Sequence, residues 1–485
     1  MKSDSEVRQF NKTNYVYHER LKKSVTIFVA ISIFLILYFG LPDAFPYEAR
    51  IMTAIVSFGI VLWALEPIPL GLTALIILLL MLIFHVADMD IIFSGFASPA
   101  IYLIIGGMML AKAVNETSLA RRVTYMVLKK WGSTSKGLLG SMLVIMQIQA
   151  FFIPATAVRT TLMLPISTMI IKTVDAKPGS NLRKMVLLGV AFGGTISGTA
   201  VMTAAIGNIL TVELLARYAN IKITYFQWFY YTFPLWLILI PAIWMLLLKM
   251  FPLPKEHQKF PMIEKEMESR LKQLGSFNSR EIRCLLILIF TVGLWITEPL
   301  HGLHPSIPAL IGVVFMTLPG IGCASWEKVV KINYNTVLLI SITLSMGYTL
   351  IDTGAANIIS DYLSVNWVLS FVQNPLYAVI FIVILTQIFH KFISNVSTAV
   401  VTLVPIVISI AANANVDPLL LGFTAGLTSL YGYILVVETM PSLLVYSTGM
   451  ITQRDFLKPG LYATVITIVA TLLTAIVWWN IIGLI

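Results

Sequence analysis

Two stretches of the sequence, 240 residues apart, resemble each other and place polar groups in an apolar context. The first runs from Ile153 to Ile166 (IPATAVRTTLMLPI) and the second from Ile393 to Ile406 (ISNVSTAVVTLVPI). Hydroxyls, a side-chain amide and the backbone N–H groups at a helix start can bind a carboxylate, and hydroxyl and amide oxygens can bind a cation. The first copy adds Arg159, whose planar guanidinium fits a carboxylate.

Arg159 is the most informative of these residues, because burying an arginine at the centre of a membrane costs at least about 2.5 kcal/mol. A substrate contact explains its presence, and a structural ion pair with Glu438 or another buried acid is the alternative. The serines and threonines of the second copy could instead cap helices or bond to helix carbonyls. His390 and Lys391 precede the second copy, where they contact substrate or extend to the outer surface.

Two further segments, around 193–208 and 432–442, are interrupted by glycine or proline and follow the two copies. Short or interrupted apolar segments at matching places in two halves indicate a binding site at the membrane midplane, with close helix packing as the alternative. The predicted substrate contacts are Thr156, Arg159, Thr203, Asn208, Ser394, Asn395, Ser397, Thr398, Thr439 and Ser442, with Thr199, His390, Lys391 and Pro441 as secondary candidates.

The composition predicts an all-α polytopic membrane protein, since 58% of the 485 residues are hydrophobic and only 12% are charged. About 20 apolar residues cross a bilayer, and lipid leaves helices as the structure that satisfies the backbone. The net charge of +10 does not indicate nucleic-acid binding, because the basic residues lie between apolar runs. The two cysteines have no metal-site spacing, so no metal cluster is expected, and no cofactor is favoured.

About 11 transmembrane helices and two re-entrant hairpins account for the apolar runs. The expected organisation is a cytosolic tail over 1–23, a first helix over 24–50, repeat 1 over 51–250, a cytosolic linker over 251–282 and repeat 2 over 283–485. Repeat 1 contains the hairpin 137–174 and the broken helix 185–212, and repeat 2 contains the hairpin 376–412 and the broken helix 418–447.

The distribution of Lys and Arg predicts a cytosolic N-terminus and an external C-terminus in the plasma membrane. With this orientation the internal loops hold 27 of the 33 basic residues, as the positive-inside rule requires. The motif Trp63-Ala-Leu-Glu-Pro67 recurs as Trp295-Ile-Thr-Glu-Pro299, and five passes separate the two copies. The halves therefore face opposite ways, which is the inverted-repeat plan of secondary transporters.

No enzyme signature is present: the sequence lacks a phosphate-binding Gly-Lys-Ser/Thr loop, a Gly-x-Ser-x-Gly elbow and a His-Glu-x-x-His motif. The chain instead resembles the divalent anion/sodium symporter (DASS) family along nearly its whole length. That family carries Ser-Asn-Thr at each hairpin tip. The second tip here is similar, with Ser394-Asn395 and Ser397-Thr398, whereas Pro154-Ala155-Thr156 replaces the first.

The resemblance implies a homodimeric elevator transporter for dicarboxylates, with substrate between the hairpin tips and cation sites beside them. The segment from Met202 to Asn208 is more similar to the exchangers of that family. Because Arg159 cannot leave with the substrate, we expect exchange of C4 or C5 dicarboxylates, with Arg159 replacing a sodium ion. Sodium-coupled symport of di- or tricarboxylates, with sodium near Ser394 and Asn395, is the alternative. A channel or a membrane-bound enzyme is a further, less favoured alternative.

Overall fold

The computed structural model describes residues 4–42, 45–254, 258–363, 366–393 and 395–485. The molecule is 77% helical, and the described residues contain no β-strand. By length and composition, six of the described helices could cross a membrane, and these are Lys23–Gly40, Tyr47–Leu65, Tyr225–Met250, Tyr334–Asp352, Val396–Ala414 and Gln453–Trp479. Shorter apolar helices accompany them, as expected of a polytopic membrane protein with interrupted segments.

The N-terminal region up to the first hairpin is a series of seven helices. They are α1 (Asp4–Gly40), α2 (Tyr47–Leu65), α3 (Leu70–Ile83), α4 (Met89–Ile92), α5 (Ser94–Ala97), α6 (Pro99–Glu116) and α7 (Leu119–Trp131). The sequence predicts a tail over 1–23 and one helix over 24–50, whereas α1 begins at Asp4 and ends at Gly40. No proline or glycine interrupts the chain between these two residues, so the helix continues through the polar segment.

The first copy of the repeated motif lies between two helices, α8 (Ser135–Ala150) and α9 (Thr156–Thr173), which we call the first hairpin. The helices that follow are α10 (Asn181–Ile196), α11 (Ile206–Tyr218) and α12 (Tyr225–Met250). Residues 197–205, which include a 3₁₀ turn at Met202–Ala204, separate α10 from α11 and form the first break. Side chains cap several of these helices, as Thr134 does for α8 and Ser180 for α10.

The middle of the chain contains the segment between the two halves and the helices that follow it. They are α13 (Pro261–Leu274), α14 (Ser279–Ile296), α15 (Glu298–His301), α16 (Ser306–Thr317), α17 (Trp326–Val329), α18 (Tyr334–Asp352), α19 (Ala355–Leu363) and α20 (Asn366–Val372). The linker therefore contains a helix, α13, whose Ile263 and Met267 are buried. A buried ion pair, Arg122 with Glu281 at 3.0 Å, holds the end of this segment against α7.

The second copy of the motif also lies between two helices, α21 (Pro375–Phe389) and α22 (Val396–Ala414), which form the second hairpin. After it come α23 (Pro418–Thr428), α24 (Met440–Tyr446) and α25 (Gln453–Thr474), which ends in a π-helical turn over Ala475–Trp479. Residues 429–439 separate α23 from α24 and form the second break. A proline at the first turn favours the starts of α21 and α23, because its missing N–H needs no partner there.

The two hairpins exchange partners with the two broken helices. The first hairpin packs on α10 and, across the chain, on α24, whereas the second hairpin packs on α23 and on α11. Each hairpin thus contacts the leading half of its own broken helix and the trailing half of the other one. A twofold relation between the two halves of the chain would produce this packing. Both breaks lie between the two hairpins as a result.

The outer helices α2, α3, α6, α14, α16 and α18 pack on one another, and α6 and α18 contact this central group. Glu213 of α11 makes a polar contact between the two groups. Its Oε1 accepts a hydrogen bond of 2.8 Å from the hydroxyl of Ser98 and one of 2.9 Å from the hydroxyl of Tyr348. Any sliding of α11 along the outer helices must therefore break two hydrogen bonds to a carboxylate.

Candidate functional site

The two breaks meet in the buried centre of the molecule. The hydroxyl oxygens of Thr195 and Thr439 lie 3.4 Å apart, and Thr199 and Tyr431 form a hydrogen bond of 2.9 Å. These contacts join the end of α10 to the second break and to the start of α24. Ser442, in the first turn of α24, accepts a hydrogen bond of 3.1 Å from Thr439. Four of the predicted residues or secondary candidates, Thr199, Thr439, Pro441 and Ser442, therefore lie where the broken helices meet.

Asn208 fixes the shape of the first break. Its Nδ2 donates to the carbonyl oxygens of Gly198 at 2.7 Å and Val201 at 3.1 Å. The side chain is fully buried, and its Oδ1 has no hydrogen-bond partner among the described residues. The amide therefore closes the loop through its donor side and keeps an acceptor in the buried centre. Thr203, inside the 3₁₀ turn, is 2% exposed.

The two hairpin tips differ in how their second helix begins. Asn395 caps α22, because its Oδ1 accepts a hydrogen bond of 2.8 Å from the N–H of Ser397. Ala155 holds the equivalent position before α9 with φ +72° and no side-chain cap. Such a conformation costs a non-glycine residue roughly 1–3 kcal/mol. The first tip thus presents a helix start whose N–H groups no side chain caps, whereas the second tip keeps the amide cap.

Arg159 lies one turn into α9 and is completely buried. Its Nε donates to the Ser197 hydroxyl at 2.9 Å, Nη1 to the carbonyl oxygen of Ile153 at 2.6 Å and Nη2 to that of Ala204 at 3.0 Å. No carboxylate pairs with it in the described part of the chain. The proposed structural pair with Glu438 is not formed in this structure.

The three oxygens around Arg159 come from the first hairpin tip and from both ends of the first break. Carbonyl and hydroxyl oxygens that converge from separate segments are the ligands that a hard cation takes. Here the guanidinium of Arg159 takes these three oxygens as hydrogen-bond acceptors, one on each of its nitrogens. A guanidinium has five N–H groups, so these three hydrogen bonds leave one N–H on each terminal nitrogen for a further acceptor.

The second hairpin holds its basic residues differently. Lys391 is partly exposed and pairs with the fully buried Glu438 at 2.7 Å. The other carboxylate oxygen of Glu438 accepts a hydrogen bond of 3.1 Å from the N–H of Ile434 in the second break. His390 is buried, and its Nε2 donates to the carbonyl oxygen of Ser429 at 2.6 Å. Both basic residues therefore connect the second hairpin to the second break.

Polar atoms without partners also occur at the start of α22. The hydroxyl of Thr398 is fully buried and has no hydrogen-bond partner among the described residues. Ser397 is 5% exposed, and Ser394 lies outside the described residues. Val396 packs closely on Gly207, since a Cβ added to Gly207 would lie 2.8 Å from Cγ1 of Val396. The second tip is thus next to Asn208, whereas Thr156 of the first tip packs on Gly198.

Sequence reasoning missed one symmetric pair of residues. Gln147 in α8 donates to the carbonyl oxygen of Gly193 at 3.3 Å, and Gln387 in α21 donates to that of Thr428 at 3.1 Å. Each glutamine connects its hairpin to the last turn of the leading half of its broken helix. The signal was available, since a glutamine occurs in the first helix of both hairpins at the same 240-residue offset. Ser197, the partner of Arg159, was also missed as a site residue.

A comparison with known protein families matches residues 18–485 to the transmembrane region of sodium:sulfate symporters. The chain belongs to the sodium:sulfate symporter family. The match confirms the resemblance to the divalent anion/sodium symporters, of which these proteins form part. Members of this family are transporters, which agrees with the expectation that the chain is not an enzyme.

Several curated members of the family align with almost the whole chain. A membrane protein of Cupriavidus necator is 22% identical over 94% of this chain and 92% of its own length. An uncharacterized transporter of Haemophilus influenzae is 25% identical, with 92% and 95% covered. The sodium-dependent dicarboxylate transporter SdcS of Staphylococcus saprophyticus is also 25% identical, with 89% and 86% covered. The similarity to these relatives therefore extends over most of the chain.

Proposed function

We propose that this protein exchanges one C4 or C5 dicarboxylate, such as malate, succinate, fumarate or 2-oxoglutarate, for another across the membrane. The relatives named as sodium-dependent dicarboxylate transporters support the substrate class. One observation carries the exchange mechanism: the guanidinium of Arg159 is completely buried, is hydrogen-bonded to three neutral oxygens and pairs with no described carboxylate. Arg159 accordingly replaces a sodium ion.

A fixed cation changes how the empty carrier behaves. In a sodium symporter the ions leave together with the substrate, so that the empty carrier returns without their charge. Arg159 cannot leave, and moving its unpaired charge through a low-dielectric barrier costs several kcal/mol. A bound dianion offsets this cost in both directions. Transport therefore requires a dicarboxylate on each side, and exchange of one dianion for another moves no net charge over the cycle.

The two carboxylates of the substrate bind near the two hairpin tips. The first interacts with the free N–H groups of Arg159 and the start of α9 at Thr156. The second interacts with the start of α22, where Ser394, Asn395, Ser397 and Thr398 supply donors. Lys391 and Glu438 neutralise each other, so the second tip adds little net charge. The lining of the site is completed by Thr199, Thr203, Asn208, Thr439, Pro441 and Ser442, with His390 in a secondary position.

The interleaved packing supports an elevator mechanism with inverted repeats. Both hairpins, α10–α12 and α23–α25 form a transport domain, and the outer helices form a scaffold that dimerises with a second copy. In this arrangement the hairpins are re-entrant and return to opposite faces of the plasma membrane. The distribution of Lys and Arg supports a cytosolic N-terminus and an external C-terminus.

Counterflow in proteoliposomes tests the proposal. Vesicles loaded with unlabelled succinate should take up labelled succinate without sodium, whereas vesicles without internal dicarboxylate should not. A panel of dicarboxylates inside the vesicles then ranks the substrates. Sodium-driven uptake into vesicles that contain no dicarboxylate would refute exchange.

Sodium-coupled symport of di- or tricarboxylates is the second candidate. The relatives named sodium-dependent favour it, as does the second tip, which keeps the Asn395 cap and a buried hydroxyl without a partner at Thr398. In that case one sodium ion binds beside Ser394 and Asn395 at the second tip, while Arg159 replaces the sodium ion of the first tip. Symport predicts that raising external sodium lowers the KM for succinate, whereas exchange predicts no sodium dependence.

A further inference from the structure

Three charged side chains lie in the two hairpin tips and the two breaks, which are residues 150–160, 389–398, 197–205 and 429–439. They are Arg159, Lys391 and Glu438, which we call the central charges. Arg159 and Glu438 are completely buried, whereas Lys391 is partly exposed. Two cations and one anion leave this region with one unit of positive charge.

The carboxylate of Glu438 is held by contacts from two segments. Nζ of Lys391 donates to its Oε1 at 2.7 Å, and the N–H of Ile434 donates to its Oε2 at 3.1 Å. The carboxylate also lies against Gly432, since a Cβ added there would be 2.9 Å from Oε2. The backbone of the second break therefore positions Glu438 by itself, and Lys391 contributes mainly its charge.

Glu438 and Arg159 lie in the same buried centre but form no ion pair. Thr439, the next residue after Glu438, has its hydroxyl oxygen 3.4 Å from that of Thr195 in the last turn of α10. Two residues further on, the Ser197 hydroxyl accepts a hydrogen bond of 2.9 Å from Nε of Arg159. Short polar contacts between the two breaks thus separate the two buried charges.

The net charge of this region controls the return of the empty carrier. Moving a charge through a low-dielectric barrier is costly, and a nearby opposite charge that moves with it reduces the cost. If Glu438 were ionised and had no partner of its own, it would compensate Arg159. The ion pair with Lys391 removes Glu438 from this balance, so the charge of Arg159 stays uncompensated.

We propose that Lys391 is the counter-ion that prevents Glu438 from neutralising the fixed charge of Arg159, and that it thereby keeps exchange obligatory. This inference rests on the proposed function, and it adds the residue that maintains the coupling. Lys391 acts through Glu438 and need not contact the substrate. A purely structural ion pair would give the same result whichever partner is removed, whereas the proposed role gives opposite results.

Uptake of labelled succinate into proteoliposomes without sodium and without internal dicarboxylate provides the test. Lys391→Gln leaves no net charge and should take up succinate at least about tenfold faster than the wild type. Glu438→Gln breaks the same ion pair but leaves two positive charges, so its uptake should stay at the wild-type background. The double variant has one positive charge again and should require internal dicarboxylate.

Lys136→Gln is the matched control, since Lys136 is exposed at the start of α8, in the same proposed transport domain. Uptake by this control should stay at background, because an exposed charge remains in contact with water. All variants are measured from about pH 6 to pH 9, since only the ionised carboxylate of Glu438 can compensate Arg159. Uptake should rise with pH in Lys391→Gln but not in the double variant. Both variants contain His390, so this difference is due to Glu438.

Membrane potential offers a measurement that does not require Lys391→Gln to fold. With a bound dianion, the central charges of the wild type sum to one negative charge, whereas those of Glu438→Gln sum to zero. Succinate homoexchange by the wild type should therefore slow at about 100 mV of either sign. Exchange by Glu438→Gln should not respond. Because Lys391 is partly exposed, this variant adds no fully buried charge without a partner.

Counterflow and a thermal melt show which variants are folded. Background uptake by a folded Lys391→Gln at every pH, or an equal increase in Glu438→Gln or in the control, would overturn the role of Lys391. An equal response of the wild type and Glu438→Gln to membrane potential would do the same. Uptake by the wild type itself into vesicles without dicarboxylate would instead refute obligatory exchange, so the two failures are distinguishable.

Discussion

Replacing Arg159 by alanine removes the fixed charge from the proposed site and leaves its oxygen ligands in place. The oxygens of Ile153, Ser197 and Ala204 each lose a donor. A buried acceptor without a partner costs about 1–3 kcal/mol, and the loss of an unpaired buried charge offsets part of this cost. We therefore expect a folded variant with a vacant set of oxygens that a sodium ion or water can fill.

The effect on substrate binding follows from Coulomb's law. At an effective dielectric constant of 20, two unit charges 4 Å apart attract each other by about 4 kcal/mol, and at twice that distance by about 2 kcal/mol. The smaller figure corresponds to a KM about 30-fold higher. In Arg159→Ala we expect at least this increase without sodium, together with partial recovery when sodium is added, because a cation can then occupy the oxygens.

The assay is succinate counterflow in proteoliposomes at zero and high sodium, with potassium keeping the ionic strength constant. Lys112→Ala is the control, because Lys112 is an exposed basic residue of α6 outside the proposed site. A thermal melt of each variant shows whether the protein is folded. A KM within twofold of the wild type in Arg159→Ala, with no response to sodium, would refute the role assigned to this residue.

Three further substitutions test other parts of the structure. Ala155→Gly should raise the Tm. Glycine adopts a φ of +72° without the strain of roughly 1–3 kcal/mol that alanine has there, whereas its added freedom in the unfolded state costs at most about 1 kcal/mol. A lower Tm would contradict this prediction. Gln147→Leu should destabilise the protein by about 1–3 kcal/mol, and by more than Gln387→Leu. The Oε1 of Gln147 accepts a hydrogen bond of 2.7 Å from Trp236, whereas the Oε1 of Gln387 has no partner among the described residues. Equal decreases in Tm for the two variants would contradict this prediction. Glu213→Gln weakens two charge-assisted hydrogen bonds to the outer helices. Because sliding of α11 must break these bonds, the exchange rate at saturating substrate should increase. An unchanged rate would argue against sliding at this contact.

Much of the architecture was accessible from sequence because it depends on apolar length and on repetition. The repeated motif marks both turns, and the interruptions around 193–208 and 432–442 correspond to the two breaks. The beginning of α1 was not accessible, since a polar helix and a polar tail have similar compositions. The same holds for helix α13, which lies within the charged linker.

The partners of the buried charges could not be deduced from residue types. Arg159 and Glu438 are the obvious pair by charge, yet Arg159 bonds to carbonyl oxygens and Glu438 pairs with Lys391. The choice depends on where the first break directs its carbonyl groups, and a loop conformation of this kind leaves no pattern in the sequence. Gln147 and Gln387 were detectable, because the offset that relates the two motifs also relates these glutamines.

The exchange of partners between hairpins and broken helices has an evolutionary consequence. Either half alone would lack the trailing helix, α24 or α11, that its hairpin needs as a neighbour. On the proposed inverted-repeat plan, an ancestor of half the length would insert into the membrane in both orientations and assemble as an antiparallel pair, which gene fusion would then join. Expressed as two separate fragments divided within the linker, the halves should be inactive alone and should regain transport only when produced together.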